Sequence, residues 1–128
     1  MCEYVQLTED DHFLCIEANQ LLNECLPGVE SEPMVVATID NNVIGVTSGI
    51  VIEQALEFDV AVMPQYRNQG IGTSLVNAIL EVYQKLLEDD VVSVLNVRCV
   101  NDIMKRILEN TGFVEDYATH NETIFIYR

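Results

Sequence analysis

Val62-Met63-Pro64-Gln65-Tyr66-Arg67-Asn68-Gln69-Gly70-Ile71-Gly72-Thr73-Ser74-Leu75 joins an extended apolar run, Phe58 to Val62, to a stretch with helical apolar spacing. Pro64 stops the strand ladder, and from Ile71 the apolar residues recur as they do on one face of a helix. The two glycines therefore stand at a helix N-terminus. The first N–H groups there have no intrahelical partner, the helix dipole is positive, and glycine leaves room for a bulky anion beside the backbone. A pyrophosphate suits such a turn, the plainer alternative being that Gln69-Gly70 only reverses the chain. A dinucleotide-binding turn needs G-x-G-x-x-G and a Walker loop needs Gly-Lys-Ser/Thr; neither is present.

Outward from this turn, residues 3 to 7 read as a short strand, and Thr8 followed by Glu9, Asp10 and Asp11 reads as a helix start with an acidic first turn. That helix is expected to reach about Leu26, with Phe13, Ile16, Leu21, Leu22 and Cys25 as its apolar stripe and Pro27-Gly28 ending it. Met34 to Ile39 and Val43 to Val51 are β-rich runs joined at Asp40-Asn41-Asn42. A second reversal near Gln54-Ala55 leads into a strand from Leu56 to Met63. Beyond the turn, Ile71, Leu75, Val76, Ile79, Leu80, Tyr83, Leu86 and Leu87 mark the buried face of a long helix. Val91 to Val100 is apolar on both faces, as a covered central strand is, so Leu56 to Val100 forms a strand-helix-strand parallel crossover. Asn101-Asp102 opens another helix to about Asn110, Gly112 ends it, and Phe113 to Tyr117 and Thr123 to Tyr127 are the last strands.

The spacing Arg67-x-x-Gly70-x-Gly72, after a strand ending in Val-x-Pro and before an amphipathic helix, resembles the acyl-CoA-binding signature of the GNAT N-acyltransferases. A second stretch, Asn101 through Gly112-Phe113, is similar to the later motif of that family, and the order of elements agrees along nearly the whole chain. The resemblance implies the α/β GNAT fold, with a central mixed sheet of six to seven strands and flanking helices, in one domain over residues 1–128. It also implies acetyl-CoA as cosubstrate, with no metal. Carried over by position, Val60, Ala61 and Val62 hold the pantetheine arm, and Arg67, Asn68, Gln69, Gly70, Ile71, Gly72 and Thr73 take the pyrophosphate. Asn101 is the motif asparagine. A backbone N–H near Val60 or Ala61 polarises the thioester carbonyl.

Direct acetyl transfer to an amine requires a neutral nucleophile, so a carboxylate near the acceptor end of the fourth strand is the expected base. Glu57 and Asp59, two apart on an extended segment, share one face and are the candidates, with Glu53 behind them. They equally fit solvated surface carboxylates that steer a cation. The family often places a tyrosine acid seven residues after the motif asparagine; here that position is Leu108, which leaves Tyr117, His120 or water to protonate the thiolate. Tyr66, Tyr83 and Tyr127 read as packing residues, and Lys105 and Arg106 as solvated helix charges within reach of an outer phosphate.

Composition bounds the partners. The net charge is −15, and all six basic residues lie from Arg67 onward, while residues 1 to 66 carry twelve carboxylates and no Lys or Arg. This charge argues against nucleic acid as a partner, because a phosphate backbone demands a basic face. An acidic first half attracts a cation, although acidity also serves solubility alone. The four cysteines show no metal or disulfide spacing; Cys15 and Cys99 are expected as buried thiols, and His12 and His120 have no metal partners near in sequence. No apolar run approaches the ~18 residues of a membrane span, and Met1-Cys2-Glu3-Tyr4 lacks signal-peptide character, so a cytoplasmic protein is expected.

These readings converge on an N-acetyltransferase acting on a cationic primary amine: a polyamine, an aminoglycoside-like amine, or a protein lysine or N-terminus. The short segments leave little material for a deep acceptor pocket, and an open groove or a site completed in a homodimer both fit. Two alternatives stay open: a GNAT-like module that binds acyl-CoA or a partner without efficient turnover, and an acidic decoy for a basic protein.

Overall fold

Two-residue turns with left-handed backbone organise the first half of the molecule. A computed structural model describes residues 2–26, 31–99, 102–118 and 123–127. Asp40 and Asn41 have φ of 51° and 66°, and Glu53 and Gln54 have 49° and 69°. Such paired positive φ values match the twist of flanking strands, so each turn closes a tight hairpin. The strands are β1 (Cys2–Gln6), β2 (Glu32–Ile39), β3 (Asn42–Ile52) and β4 (Ala55–Val62), each paired antiparallel with the next in this series. The second reversal thus sits at Glu53-Gln54, one residue before its expected place.

After β4 come α2 (Ile71–Glu88), β5 (Val94–Cys99), α3 (Asp102–Asn110), β6 (Val114–Ala118) and β7 (Thr123–Tyr127), while α1 (His12–Cys25) lies between β1 and β2. One seven-stranded sheet has the order β1-β2-β3-β4-β5-β7-β6, and β4 and β5 run parallel, as the crossover reading required. β5 starts three residues later than expected. Ser93 N–H is bonded instead to Gln54 O at 2.7 Å and Val91 N–H to Leu86 O at 2.9 Å, which holds Val91 to Ser93 in the connection.

α1 also starts later than the sequence suggests. The Thr8 N–H and hydroxyl both donate to Asp11 Oδ2, at 2.8 and 3.0 Å, closing a separate turn, and the first helical bond is Cys15 N–H to Asp11 O at 2.9 Å. The acidic residues 9 to 11 therefore precede the helix rather than form its first turn. Its buried face is Ala18, Leu21 and Leu22, packed on Val36, Val43, Val46 and Ala61, while Phe13 and Ile16 are 84% and 55% exposed. The expected stripe was wrong at those two positions, and Cys15 is half-buried rather than buried. Glu17 Oε2 accepts from Val43 N–H at 2.8 Å and ties α1 to the sheet.

On the opposite face α2 buries Ile71, Leu75, Val76, Ile79 and Tyr83, as its spacing required, while Leu80 and Leu86 are half-buried and Leu87, expected on the same face, is exposed. Leu56, Phe58, Leu95, Val97, Leu108, Phe113 and Phe125 complete that core, each large apolar side chain contributing about 1.5–3 kcal/mol on burial. Tyr83 is 1% exposed, donates to Ser93 O at 3.3 Å and meets the Tyr127 ring edge-on. The Pro27-Gly28 helix stop, Asn101 and His120 lie outside the described residues.

Burial, and secondarily the Tyr127 phenol, raises the Tyr83 phenol above its ordinary value of 10.0. The folded chain holds this proton more tightly than the unfolded one. Its contribution to stability is therefore intact below about pH 10 and is lost as pH rises through the higher folded value. Denaturant midpoints measured across this range should fall for the wild type and fall less steeply for Tyr83→Phe.

Candidate active site

The turn after β4 leaves the first amides of α2 outside the helical ladder. Tyr66 N–H bonds to Met63 O at 2.9 Å and Arg67 N–H to Pro64 O at 3.3 Å, closing a single 3-10 turn at Pro64–Tyr66. Asn68 and Gly70 then adopt φ of 64° and 80°. The first helical bond of α2 is Ser74 N–H to Gly70 O at 3.1 Å, so the N–H groups of Ile71, Gly72 and Thr73 precede it. No side chain caps this end and its first turn holds no acidic residue, although the chain has 21 carboxylates. The positive end of α2 is thus left without a counter-charge from its own first turn.

The two glycines serve different ends. At Gly70 the space a Cβ would occupy is open, and the positive φ is what requires glycine. At Gly72 a Cβ would come 3.3 Å from Ile107 Cδ1, so the missing side chain lets α3 lie close against α2. Backbone conformation at Gly70 and helix packing at Gly72 are thus reasons for glycine that the sequence reading, which looked only to room for an anion, did not give.

The sheet opens beside this turn. β4 pairs with β5 only from Ala55–Val94 to Phe58–Val97. Beyond Phe58, β4 stays bonded to β3 as far as Val62, and β5 stays bonded to β7 as far as Cys99. The gap leads into a cavity of about 660 Å³. Val60, Ala61 and Val62 form one wall, and Tyr66, Arg67, Asn68, Gly70, Gly72 and Thr73 form its end. Eight expected cofactor residues are therefore brought together. Two are not on the wall: Ile71 is buried in the core, and Gln69 Nε2 turns back to Gln65 O at 3.4 Å.

The facing wall is α3, through Ile103, Met104, Arg106, Ile107 and Asn110, with Cys25 and Leu26 from the end of α1. Arg106 lines the cavity and Lys105 does not, which separates two charges that the sequence reading had taken together. The spacing of Ile103, Ile107 and Asn110 marks one helix face and was the available signal. Arg67 Nε donates to Val62 O at 3.0 Å, which folds its guanidinium over the end of β4. Among the described lining residues there are two arginines and no carboxylate.

Glu57 and Asp59 are half-buried on the other face of β4 and do not line this cavity. They alternate with Phe58 and Val60, and share the face on which Ala61 packs under α1. Asp59 stands across from Ser48, whose hydroxyl lies 2.6 Å from that of Ser31. Tyr117 is paired with Ile124 at the sheet edge. Leu108 is fully buried in the core, so α3 presents no proton donor at that position. Among the described residues no cluster of three His, Cys, Asp or Glu could hold a metal, and no helix is long and apolar enough to cross a membrane.

Comparison with known proteins gives this geometry a lineage. No curated protein sequence matches the chain. The fold is similar to that of an acetyltransferase from Bacillus subtilis in complex with CoA, with TM-score 0.74 and 15% identity over 98% of this chain and 97% of that one. It is similar to the PaiA N-acetyltransferase from Thermoplasma acidophilum in complex with coenzyme A, with TM-score 0.71 and 16% identity over 100% and 99%. It is also similar to the ribosomal-protein-S18-alanine N-acetyltransferase from Escherichia coli, with TM-score 0.64 and 18% identity over 98% and 91%. These likenesses establish the GNAT fold, a mixed sheet with helices on both faces. The sequence model of the acetyltransferase (GNAT) family matches residues 3–113, and the chain belongs to that family.

Proposed function

We propose that residues 1–128 act as one acetyl-CoA-dependent N-acetyltransferase domain whose acceptor is a cationic primary amine. The observation that carries this reading is a cavity at the split between β4 and β5 whose described lining residues include two arginines and no carboxylate, beside an uncapped helix end, in a chain of net charge −15. A polyanion fits there and little else on this chain would attract one. Coenzyme A bound to the Bacillus and Thermoplasma proteins supports the same assignment.

In this reading the N–H groups of Ile71, Gly72 and Thr73 hold the pyrophosphate, with Arg67 and Arg106 against its charge from two walls. The β4 backbone at Val60 to Val62, which has no β5 partner, binds the pantetheine arm. An N–H at Val60 or Ala61 polarises the thioester carbonyl and stabilises the oxyanion. Glu57 or Asp59 takes the proton from the incoming ammonium, the amine nitrogen bonds to the carbonyl carbon, and the C–S bond breaks. The thiolate takes its proton from water or from Tyr117, since Leu108 offers none.

A second reading is a module that binds acyl-CoA without efficient turnover, favoured by the buried leucine at the position where the family often carries its acid. Thiol release from acetyl-CoA against a panel of amines separates the two, because a pure binder gives affinity without acceptor-dependent thiol.

Gly70→Asp should weaken CoA at least about tenfold by calorimetry while Gly70→Asn, equally tolerant of positive φ, loses far less. Equal affinities in two folded variants would remove the pyrophosphate from this turn. Arg106→Gln is expected to cost about tenfold in CoA affinity and to flatten its dependence on salt. Glu57→Gln or Asp59→Asn should lower kcat by about 10²-fold with CoA affinity unchanged, the scale of a lost general base.

A further inference from the structure

α1 carries one residue that its own pattern does not explain. Glu17, Ala18, Leu21, Leu22 and Cys25 fall on one stripe of the helix, and the last four pack on the sheet. Glu17 is a half-buried carboxylate where the period calls for another apolar side chain. Taking a carboxylate partly out of water is unfavourable unless its oxygens find donors. The donor is the backbone of β3, whose Val43 N–H meets Glu17 Oε2 at 2.8 Å.

The strand needs this acceptor as much as the helix needs the donor. Thr38 stands opposite Val43 and Ala37 opposite Gly45, so Ile44 is an extra residue in β3 and the ladder to β2 is interrupted there. On the other side β3 loses β4, whose last paired residue is Val62 against Gly45 and whose Met63 N–H reaches Ile44 O at 2.9 Å before Pro64 turns away. Val43 is 2% exposed, and a buried N–H at such a place needs a partner. Among the described residues Glu17 makes the one side-chain hydrogen bond from α1 to the sheet. Asn19 turns its amide to Cys15 O within the helix at 3.0 Å, and no side chain caps the helix start.

The far end of the same helix borders the cavity. Cys25 and Leu26 line it, Cys25 lying ~12 Å along the axis from Glu17 at 1.5 Å per residue. Both pack in the cluster that holds Ala61, on the face of β4 that also carries Glu57 and Asp59. α1 is therefore the cavity wall on the side of the proposed base, held by three buried side chains and one carboxylate.

We infer that Glu17 is a positioning residue for the acceptor: by gripping the bulged end of β3 it fixes where Cys25 and Leu26 stand beside the split, and so the space in which the amine meets the thioester. This role rests on the acetyl-transfer reading and deepens it with a residue outside the cavity lining. It is distinct from steering a cation by charge, for which the exact reach of the carboxylate would not matter.

Three variants separate reach from charge. Glu17→Gln keeps an oxygen at the same reach and loses the charge, Glu17→Asp keeps the charge one methylene short, and Glu17→Ala lacks both. Kinetics are measured with acetyl-CoA and whichever of spermidine, kanamycin and Nα-acetyl-lysine releases most thiol, and CoA affinity by calorimetry. The rate of N-ethylmaleimide labelling at Cys25, read by peptide mass spectrometry, reports the seating of α1. Glu17→Ala and Glu17→Asp should raise KM for the amine at least fivefold, with kcat and CoA affinity within twofold, and label Cys25 at least fivefold faster. Glu17→Gln should stay within twofold of wild type throughout. An aspartate variant that matches wild type while the glutamine variant fails would assign Glu17 to long-range charge and overturn the inference. Unchanged amine KM and labelling in the folded aspartate variant, whatever its loss of thermal stability, would overturn it equally, even where Glu17→Ala does not fold. A wild type that releases no thiol with any amine would instead sink the acetyl-transfer reading, while the labelling contrast would still test the hold on α1.

Discussion

The molecule is organised around the point where two parallel strands part. β4 and β5 share four residue pairs and then follow different neighbours, β3 on one side and β7 on the other. Beyond Phe58 and Val97 the facing backbone edges have no ladder between them. Backbone donors and acceptors in such a gap must find other partners. Pro64 then turns the chain away from the sheet, and α2 begins at the mouth of the gap with its first amides outside the helical ladder. The cleft, its polar floor and its donor-rich end thus follow from one interruption of pairing.

Charge is distributed to match. The chain is acidic throughout its first 66 residues, yet the cavity is bounded by Arg67 and Arg106 and by no described carboxylate. Glu57 and Asp59 occupy the same strand as the cavity wall but project to the opposite face, because adjacent residues on β4 point to opposite sides. A single strand therefore lines the cavity at Val60 to Val62 and carries its carboxylates Glu57 and Asp59 on the opposite face, so the sheet itself separates these acids from the two arginines.

Much of this was legible in the sequence, for local reasons. The change of apolar period at Ile71, the glycine at a helix start and the Asp40-Asn41 turn are short-range signals, and each appears at or within a residue of its expected place. What escaped depends on contacts distant in sequence or on competition between local bonds. Asp11 captures Thr8 and delays α1, a choice between two capping patterns that composition does not decide. Phe13 and Ile16 are apolar but face away from the sheet, because Ala18, Leu21 and Leu22 set the docking angle. Arg106 faces the cavity from a helix seated against Gly72, a contact between residues more than thirty apart in the chain.

The contact between Gly72 and Ile107 has a mechanical meaning. Where α3 meets the amide-bearing end of α2, the Ile107 side chain lies against bare backbone at Gly72, while Met104 and Leu108 join the core farther along. The width of the aperture at that point therefore depends on the bulk of residue 107 rather than on any polar group. A chain of this fold can widen or narrow its opening by exchanging one aliphatic side chain, with every hydrogen-bonding group left in position.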